Sequence, residues 1–145
     1  MPIERSSIHP SVKLWHPELV NIYDSEIGEG TKIASFVEIG GSTIGKYCKI
    51  EAFAFIPSGV TIHDRVFIGP HVVFTNDKFP RAEGEWKINP TVVEEGASIG
   101  ANSTILSGIR IGAKSMVGAG SVVSADVPPM TVVIGPKAEV RRTIH

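Results

Sequence analysis

Lys78, Arg81 and Lys87 set three cations within one short polar stretch, and Phe79 and Trp86 add two aromatic rings to it. Ammonium and guanidinium groups hold phosphate oxygens by charge-assisted hydrogen bonds, and an aromatic face stacks on a planar base or a sugar. Together these are the groups that a nucleotide ligand requires; clasping a neighbouring subunit is the other use for such a stretch. Asn76 precedes the cations. Its amide both donates and accepts, so it can hold an amine or a hydroxyl of a ligand, or else form a turn beside Asp77. His71 lies just upstream and is either a general base or orienting group, or structural. The other four of the five histidines suit chemistry less. His9 and His16 fall in an N-terminal cap, His63 sits in a turn beside Asp64, and His145 is the last residue.

The elements that must carry these side chains follow a period of six. Val93, Ile99, Ile105, Ile111, Val117 and Val123 recur at that spacing. So do Ile27, Ile33 and Ile39, then Ile44, Ile50, Ile56, Ile62, Ile68 and Phe74, with only the step from Ile39 to Ile44 one residue short. Four places after each aliphatic residue stands a small or β-branched one, such as Thr31, Thr43, Cys48, Ala54, Ala97 or Ser115. A short strand plus a corner makes one unit, and three units close a triangular coil. Coils stacked about 4.8 Å apart pair their backbone groups with the coil above and below. The pattern predicts an all-β chain, a parallel β-helix of hexapeptide repeats shaped as a triangular prism, in one domain over 1–145. Its stability is a sum of neighbour contacts along the stack. Cys48 falls on a small-residue position and reads as structural, not as a nucleophile.

The period breaks once, at 75–91, where a polar segment with Pro and Gly must leave the prism as an extended loop on one face. If the prism resumes in register, Val93 follows Phe74 as the next inward side, and His71 and Asn102 share one corner column. Ala101 and Ala119, one coil apart, then stack. Pro128-Pro129 ends the repeat, Thr131 to Ile134 adds one more extended piece, and the remainder forms a short C-terminal cap. Leu14, Trp15, Leu19 and Val20 make a first, imperfect coil.

Composition bounds the partners. A net charge of −1 with 20% charged residues favours neither a nucleic acid nor an anionic membrane. No apolar run approaches the roughly 20 residues that cross a bilayer. The single cysteine rules out an internal disulfide and suits a reducing, cytoplasmic location.

The repeat resembles the hexapeptide-repeat acyltransferases over about residues 8 to 138, which implies a left-handed prism and a homotrimer with active sites between subunits. The segment Gly69-Pro70-His71-Val72-Val73-Phe74-Thr75-Asn76-Asp77-Lys78-Phe79-Pro80-Arg81-Ala82 narrows the likeness to nucleotide-sugar N-acetyltransferases. Gly96-Ala97-Ser98-Ile99-Gly100-Ala101-Asn102 and Val117-Gly118-Ala119-Gly120-Ser121-Val122-Val123 are similar to the same group. Those enzymes use acetyl-CoA, with no metal, to acetylate the 3-amino group of a dTDP- or UDP-linked amino-deoxy sugar bound for surface glycans such as lipopolysaccharide. The resemblance implies catalytic Asn76; His71, directly ahead of the loop, is the second catalytic candidate by its position. Substrate contacts are expected from Phe74, Asn76, Lys78, Arg81 and Trp86, and coenzyme contacts from Ala101, Asn102 and Ala119 and from Lys137 and Arg141, the cations that follow the last coil. Where the family closes with G-N-P-A-K, this chain reads Gly135-Pro136-Lys137-Ala138-Glu139.

A sugar amine is nucleophilic once deprotonated, whereas a hydroxyl acceptor needs a strong base. An O-acetyltransferase with His71 as base is therefore the alternative within the class. A non-catalytic trimeric scaffold would lack the F-T-N-D-x-x-P-R loop. A γ-type carbonic anhydrase needs a third zinc histidine in the C-terminal half, and no histidine stands between His71 and His145.

Overall fold

A computed structural model describes residues 2–135. The chain winds as a left-handed parallel β-helix of about seven turns. Among the described residues, twenty short strands fall into three parallel sheets. Sheet A holds β1 (Ile3–Glu4), β4 (Asn21–Tyr23), β7 (Glu38–Gly40), β10 (Phe55–Ile56), β13 (Val73–Phe74), β16 (Thr104–Ile105) and β19 (Val122–Val123). Sheet B holds β2 (Ser7–Ile8), β5 (Glu26–Ile27), β8 (Thr43–Ile44), β11 (Val60–Ile62), β14 (Thr91–Val93) and β17 (Arg110–Ile111). Sheet C holds β3 (Lys13–Leu14), β6 (Lys32–Ile33), β9 (Lys49–Ile50), β12 (Phe67–Ile68), β15 (Ser98–Ile99), β18 (Met116–Val117) and β20 (Val132–Val133). Apart from these, only a 3-10 turn at Pro17–Leu19 is helical among the described residues. No described helix is long and apolar enough to cross a membrane.

Strand alternation explains the core. Two residues of each unit face inward: the aliphatic one and the small one two places before it, as in Val66 and Ile68 or Ala97 and Ile99. Ile22, Ile39, Ile56, Phe74 and Ile105 stack down sheet A, all fully buried. Where the small residue is polar, its hydroxyl donates to a corner carbonyl, as Ser42 Oγ does to Pro57 O at 2.6 Å and Ser121 Oγ to Gly118 O at 2.7 Å. No buried side-chain N or O among the described residues lacks a partner.

Three details differ from the periodicity. The buried small residue ahead of Ile44 is Ser42, and Thr43 faces solvent, because alternation counts back from Ile44 across the shortened corner. The first coil begins at Ile3, with Trp15 (49% exposed) and Leu19 (39%) turned outward, while Leu14 and Val20 point to the core. The loop ends at 90, since Thr91 pairs with Val60 in sheet B, is fully buried, and accepts from Gly108 N–H through Oγ1 at 3.1 Å. The prism does resume in register: Val93 follows Phe74 inward, and Val60↔Thr91 crosses the interruption. Pro128-Pro129 is followed by one more strand, β20, on sheet C.

Candidate functional site

The loop over 75–90 leaves at the edge between sheets A and B. Its neck is closed by two hydrogen bonds that both involve Asn76. The Asn89 N–H donates to the Asn76 carbonyl at 3.0 Å, and Asn76 Nδ2 donates to the Ser58 carbonyl, on the coil below, at 3.0 Å. Because the amide is planar, tying Nδ2 to the prism turns Oδ1 away from that carbonyl. Asp77 Oδ1 then accepts from the Phe79 N–H at 3.0 Å, an Asx turn that starts the loop outward. The loop borders an open cavity of about 440 Å³ lined by Asp77, Lys78, Phe79, Arg81, Glu85, Trp86, Lys87 and Asn89. The cations and rings singled out by their composition thus converge, with Phe79 and Trp86 largely exposed and Lys78 Nζ 5.6 Å from the Phe79 ring centroid.

His71 belongs to a different edge, between sheets C and A. Phe36, Phe53, His71, Asn102 and Gly120 occupy successive corners there, each with a positive φ. Corner-to-corner bonds fix the column: His71 N–H to Ala52 O, Asn102 N–H to Pro70 O, and Gly120 N–H to Ala101 O, at 2.8 to 3.0 Å. The expected pairing of His71 with Asn102 and of Ala101 with Ala119 is present. Below His71 the rings form a ladder, with centroids 4.6 Å apart for His71 on Phe53 and 5.0 Å for Phe53 on Phe36. Above it the edge is almost bare. A Cβ on Gly100 would stand 2.7 Å from the Ala119 nitrogen, so adjacent coils approach there as only glycine permits. Gly120, at φ +72°, has nothing within 4 Å of its missing Cβ. The result is a shallow lane of backbone along Ala101 and Ala119.

A family model described as bacterial transferase hexapeptide (six repeats) matches residues 41–76, and one described as hexapeptide repeat of succinyl-transferase matches 90–125, on either side of the loop. The chain belongs to the hexapeptide-repeat acyltransferase superfamily. Among curated members, the bifunctional protein GlmU of Thermotoga petrophila is 38% identical over 107 residues, 74% of this chain and 22% of that protein. The chain thus spans about a fifth of the length of the curated relatives it matches. Among solved structures, a hexapeptide-repeat acetyltransferase of Vibrio cholerae complexed with acetyl-CoA is 28% identical (TM-score 0.53, 98% of this chain and 69% of that one). The perosamine N-acetyltransferase of Caulobacter crescentus, complexed with CoA and GDP-perosamine, is 24% identical (TM-score 0.64, 97% and 57%) and shares the fold.

On this hexapeptide-repeat prism the expected site residues separate into two groups. Asn76, Lys78, Arg81 and Trp86 stand at the A–B edge; His71, Ala101, Asn102 and Ala119 stand at the C–A edge. The strand between His71 and Asn76 is extended, so at about 3.3 Å per residue one prism holds them roughly 16 Å apart. Phe74, expected to touch substrate, is instead fully buried. It takes the aliphatic position of its unit, pairs with Ile105 in sheet A, and offers no surface to a ligand. Lys137 and Arg141 lie outside the described residues. Phe53 and Phe36, one and two coils below His71, complete this edge without having been expected there. Cys48 is buried, its thiol donates to the His63 carbonyl at 3.0 Å, and burial pushes its pKa up, all against a nucleophilic role.

Proposed function

We propose that this chain is an acetyl-CoA-dependent N-acetyltransferase that acts on the amine, at C3, of a dTDP- or UDP-linked amino-deoxy sugar for surface glycans such as lipopolysaccharide. The observation that carries this reading is the loop cavity, where Lys78, Arg81 and Lys87 surround Phe79 and Trp86 in a space of about 440 Å³. Such a volume suits a nucleotide. The nucleotide sugar bound by the Caulobacter enzyme and the acetyl-CoA bound by the Vibrio enzyme support the choice of substrates. The bare lane along Gly100, Ala101, Ala119 and Gly120 suits an extended pantetheine arm, because no side chain fills it. Acetyl-CoA supplies an activated thioester carbonyl and needs no metal.

The chain's own groups then have simple tasks. Lys78 and Arg81 hold the diphosphate, and Trp86 stacks on a ring of the acceptor. Asn76, its Nδ2 tied to Ser58 O, accepts from the acceptor amine through Oδ1 and so aims the nitrogen lone pair at the carbonyl. Backbone N–H groups along the lane stabilise the oxyanion, and the amine proton leaves through water to the departing thiolate. Lys137 and Arg141 are assigned to the coenzyme phosphates, and Asn102 to the lane. The distance between the two edges supports a homotrimer in which the A–B edge of one subunit meets the C–A edge of the next. The lone cysteine supports a cytoplasmic setting.

The test is thiol release from acetyl-CoA against dTDP- and UDP-linked 3-amino and 4-amino deoxyhexoses and simple hydroxyl acceptors. Turnover on one amino sugar nucleotide, lost in Asn76→Ala, is expected. Turnover on a hydroxyl acceptor alone, abolished in His71→Ala, would replace this reading with O-acetylation.

A further inference from the structure

The outward side of sheet C carries a feature that the acetyl-transfer reading does not use. Its strands put Lys13, Lys32 and Lys49 directly in register on three adjacent strands. Neighbouring parallel strands lie about 4.8 Å apart, and like charges directly opposite one another destabilise a sheet. The column does not continue: the next positions are Phe67, Ser98, Met116 and Val132. The matching outward positions of the other two sheets carry Asn21 and Glu38, and Ser7 and Glu26. Among the strands of the first three coils, only those of sheet C therefore carry cations.

Local partners answer only part of it. Lys13 Nζ lies 4.8 Å from the centroid of the Trp15 ring, and Lys49 Nζ is 3.4 Å from Glu51 Oε1. Lys32, the middle of the three, has no counter-ion among the described residues. Beside this column is a cavity of about 410 Å³ lined by Trp15, His16, Lys32, Ala34, Ser35, Lys49, Ile50 and Glu51. Glu51 is the one carboxylate in that lining, and Lys49 already occupies it. His16 Nδ1 faces Glu18 at 3.1 Å outside the cavity.

We propose that this cavity binds a nucleoside diphosphate group, with the base against the half-exposed Trp15 ring and the diphosphate between Lys32 and Lys49. Two ammoniums on adjacent strands reach one diphosphate, and an indole offers a π-face to any base. The neutralised repulsion down the column adds to the gain, so binding weakens with salt. The site lies at the N-terminal coils of sheet C, on different elements from the 75–90 loop, and the inference does not depend on which acceptor the loop takes. Both a sugar nucleotide and the adenosine end of coenzyme A carry this group, and the experiment tells them apart.

The chain has two tryptophans, so the full-length Trp86→Phe variant leaves Trp15 as the sole indole emitter. Titration with dTDP, UDP and CoA, with excitation at the red edge of the indole band, is expected to quench Trp15 saturably with at least one of them. The ligand that quenches at the lowest concentration names the source. Lys32→Ala, at an exposed position, is expected to raise the dissociation constant at least tenfold with no loss of melting temperature, since it also relieves the repulsion down the column. Calorimetric titration of the same ligand into Lys78→Ala/Arg81→Ala, which retains both tryptophans, is expected to keep a binding event of unchanged affinity. No quenching by any nucleotide, quenching that ignores Lys32→Ala, or equal affinity for inorganic pyrophosphate would each overturn the proposal. Failure of the acetyl-transfer reading would leave the quenching intact, so the two fail separately.

Discussion

Asn76 joins two roles in one side chain, and the structure lets them be separated by size. Its Nδ2 donates to Ser58 O at 3.0 Å, while the bond from Asn89 N–H goes to its backbone carbonyl and survives any side-chain change. Asn76→Ala therefore removes one neutral hydrogen bond at a half-buried position, worth about 1 kcal/mol. For a chain of this length that lowers Tm by about 4 °C. A domain stable by at least about 5 kcal/mol stays folded at 25 °C after such a loss. A group that holds the reacting amine is worth more: removing a comparable preorganised contact costs about 100-fold in rate, near 2.7 kcal/mol. The assay pairs a thermal melt with kcat/KM for thiol release on the amino sugar nucleotide. Asn76→Asp serves as the second variant. It sets a carboxylate against the Ser58 carbonyl and is expected to melt below Asn76→Ala. A kcat/KM for Asn76→Ala within about threefold of the parent would show that Asn76 only closes the neck, and the assignment of the amine to its Oδ1 would fall.

Other outcomes follow from burial and geometry. Phe74→Ala is expected to cost about 3–5 kcal/mol in urea unfolding, whereas Phe74→Leu leaves the acceptor KM unchanged, since the ring is fully buried. Gly120→Ala adds a methyl where nothing lies within 4 Å, at a left-handed corner that costs about 1 kcal/mol. A raised KM for acetyl-CoA in the folded variant would mark the lane, and an unchanged one would remove it. Cys48, with its thiol pKa pushed up by burial, is expected to resist a thiol reagent at pH 8 in the native protein and to react fully in denaturant. The hydrogen bond and charge of Arg5 hold the Asp24 carboxyl below its usual range. That stabilisation is fully present above the unfolded value and is lost as pH falls through the lower folded one. Asp24→Asn is expected to flatten the acid limb of Tm against pH, and an unaltered limb would show that the exposed pair contributes nothing.

Much of the fold was legible in the chain because the six-residue spacing is a direct image of one side of the coil. Ile62, Ile68, Val93, Ile99 and Ile105 are inward because strand alternation and a repeating corner leave them no other direction. The polar break over 75–90 and its cations were equally open to view, since an insertion into a stacked repeat can only leave it. The period misleads where a corner is irregular. Thr43 stands the regular four places after Ile39 but across a shortened step, and Ser42 is the residue that faces in. The alignment of Lys13, Lys32 and Lys49 is hidden in the chain for a similar reason. Their spacings differ from each other and from a full coil of three units, and only the pairing register aligns them.

Other properties belong to the tertiary structure alone. His71, Phe74 and Asn76 sit within one motif of the sequence, yet the strand sends His71 to one edge, Phe74 into the core and Asn76 to the other edge. Nearness along an extended chain is distance in space, about 3.3 Å for each residue, and adjacent side chains face opposite ways. Phe36, Phe53 and His71 are remote in sequence but stack at 5.0 and 4.6 Å, because each coil returns the chain to the same corner one strand spacing higher. The sequence by itself determined the repeat, the inward residues and the place of the loop, since these depend on local period. Which side chains meet was decided by closure of the coil, which converts a count of residues into a common edge.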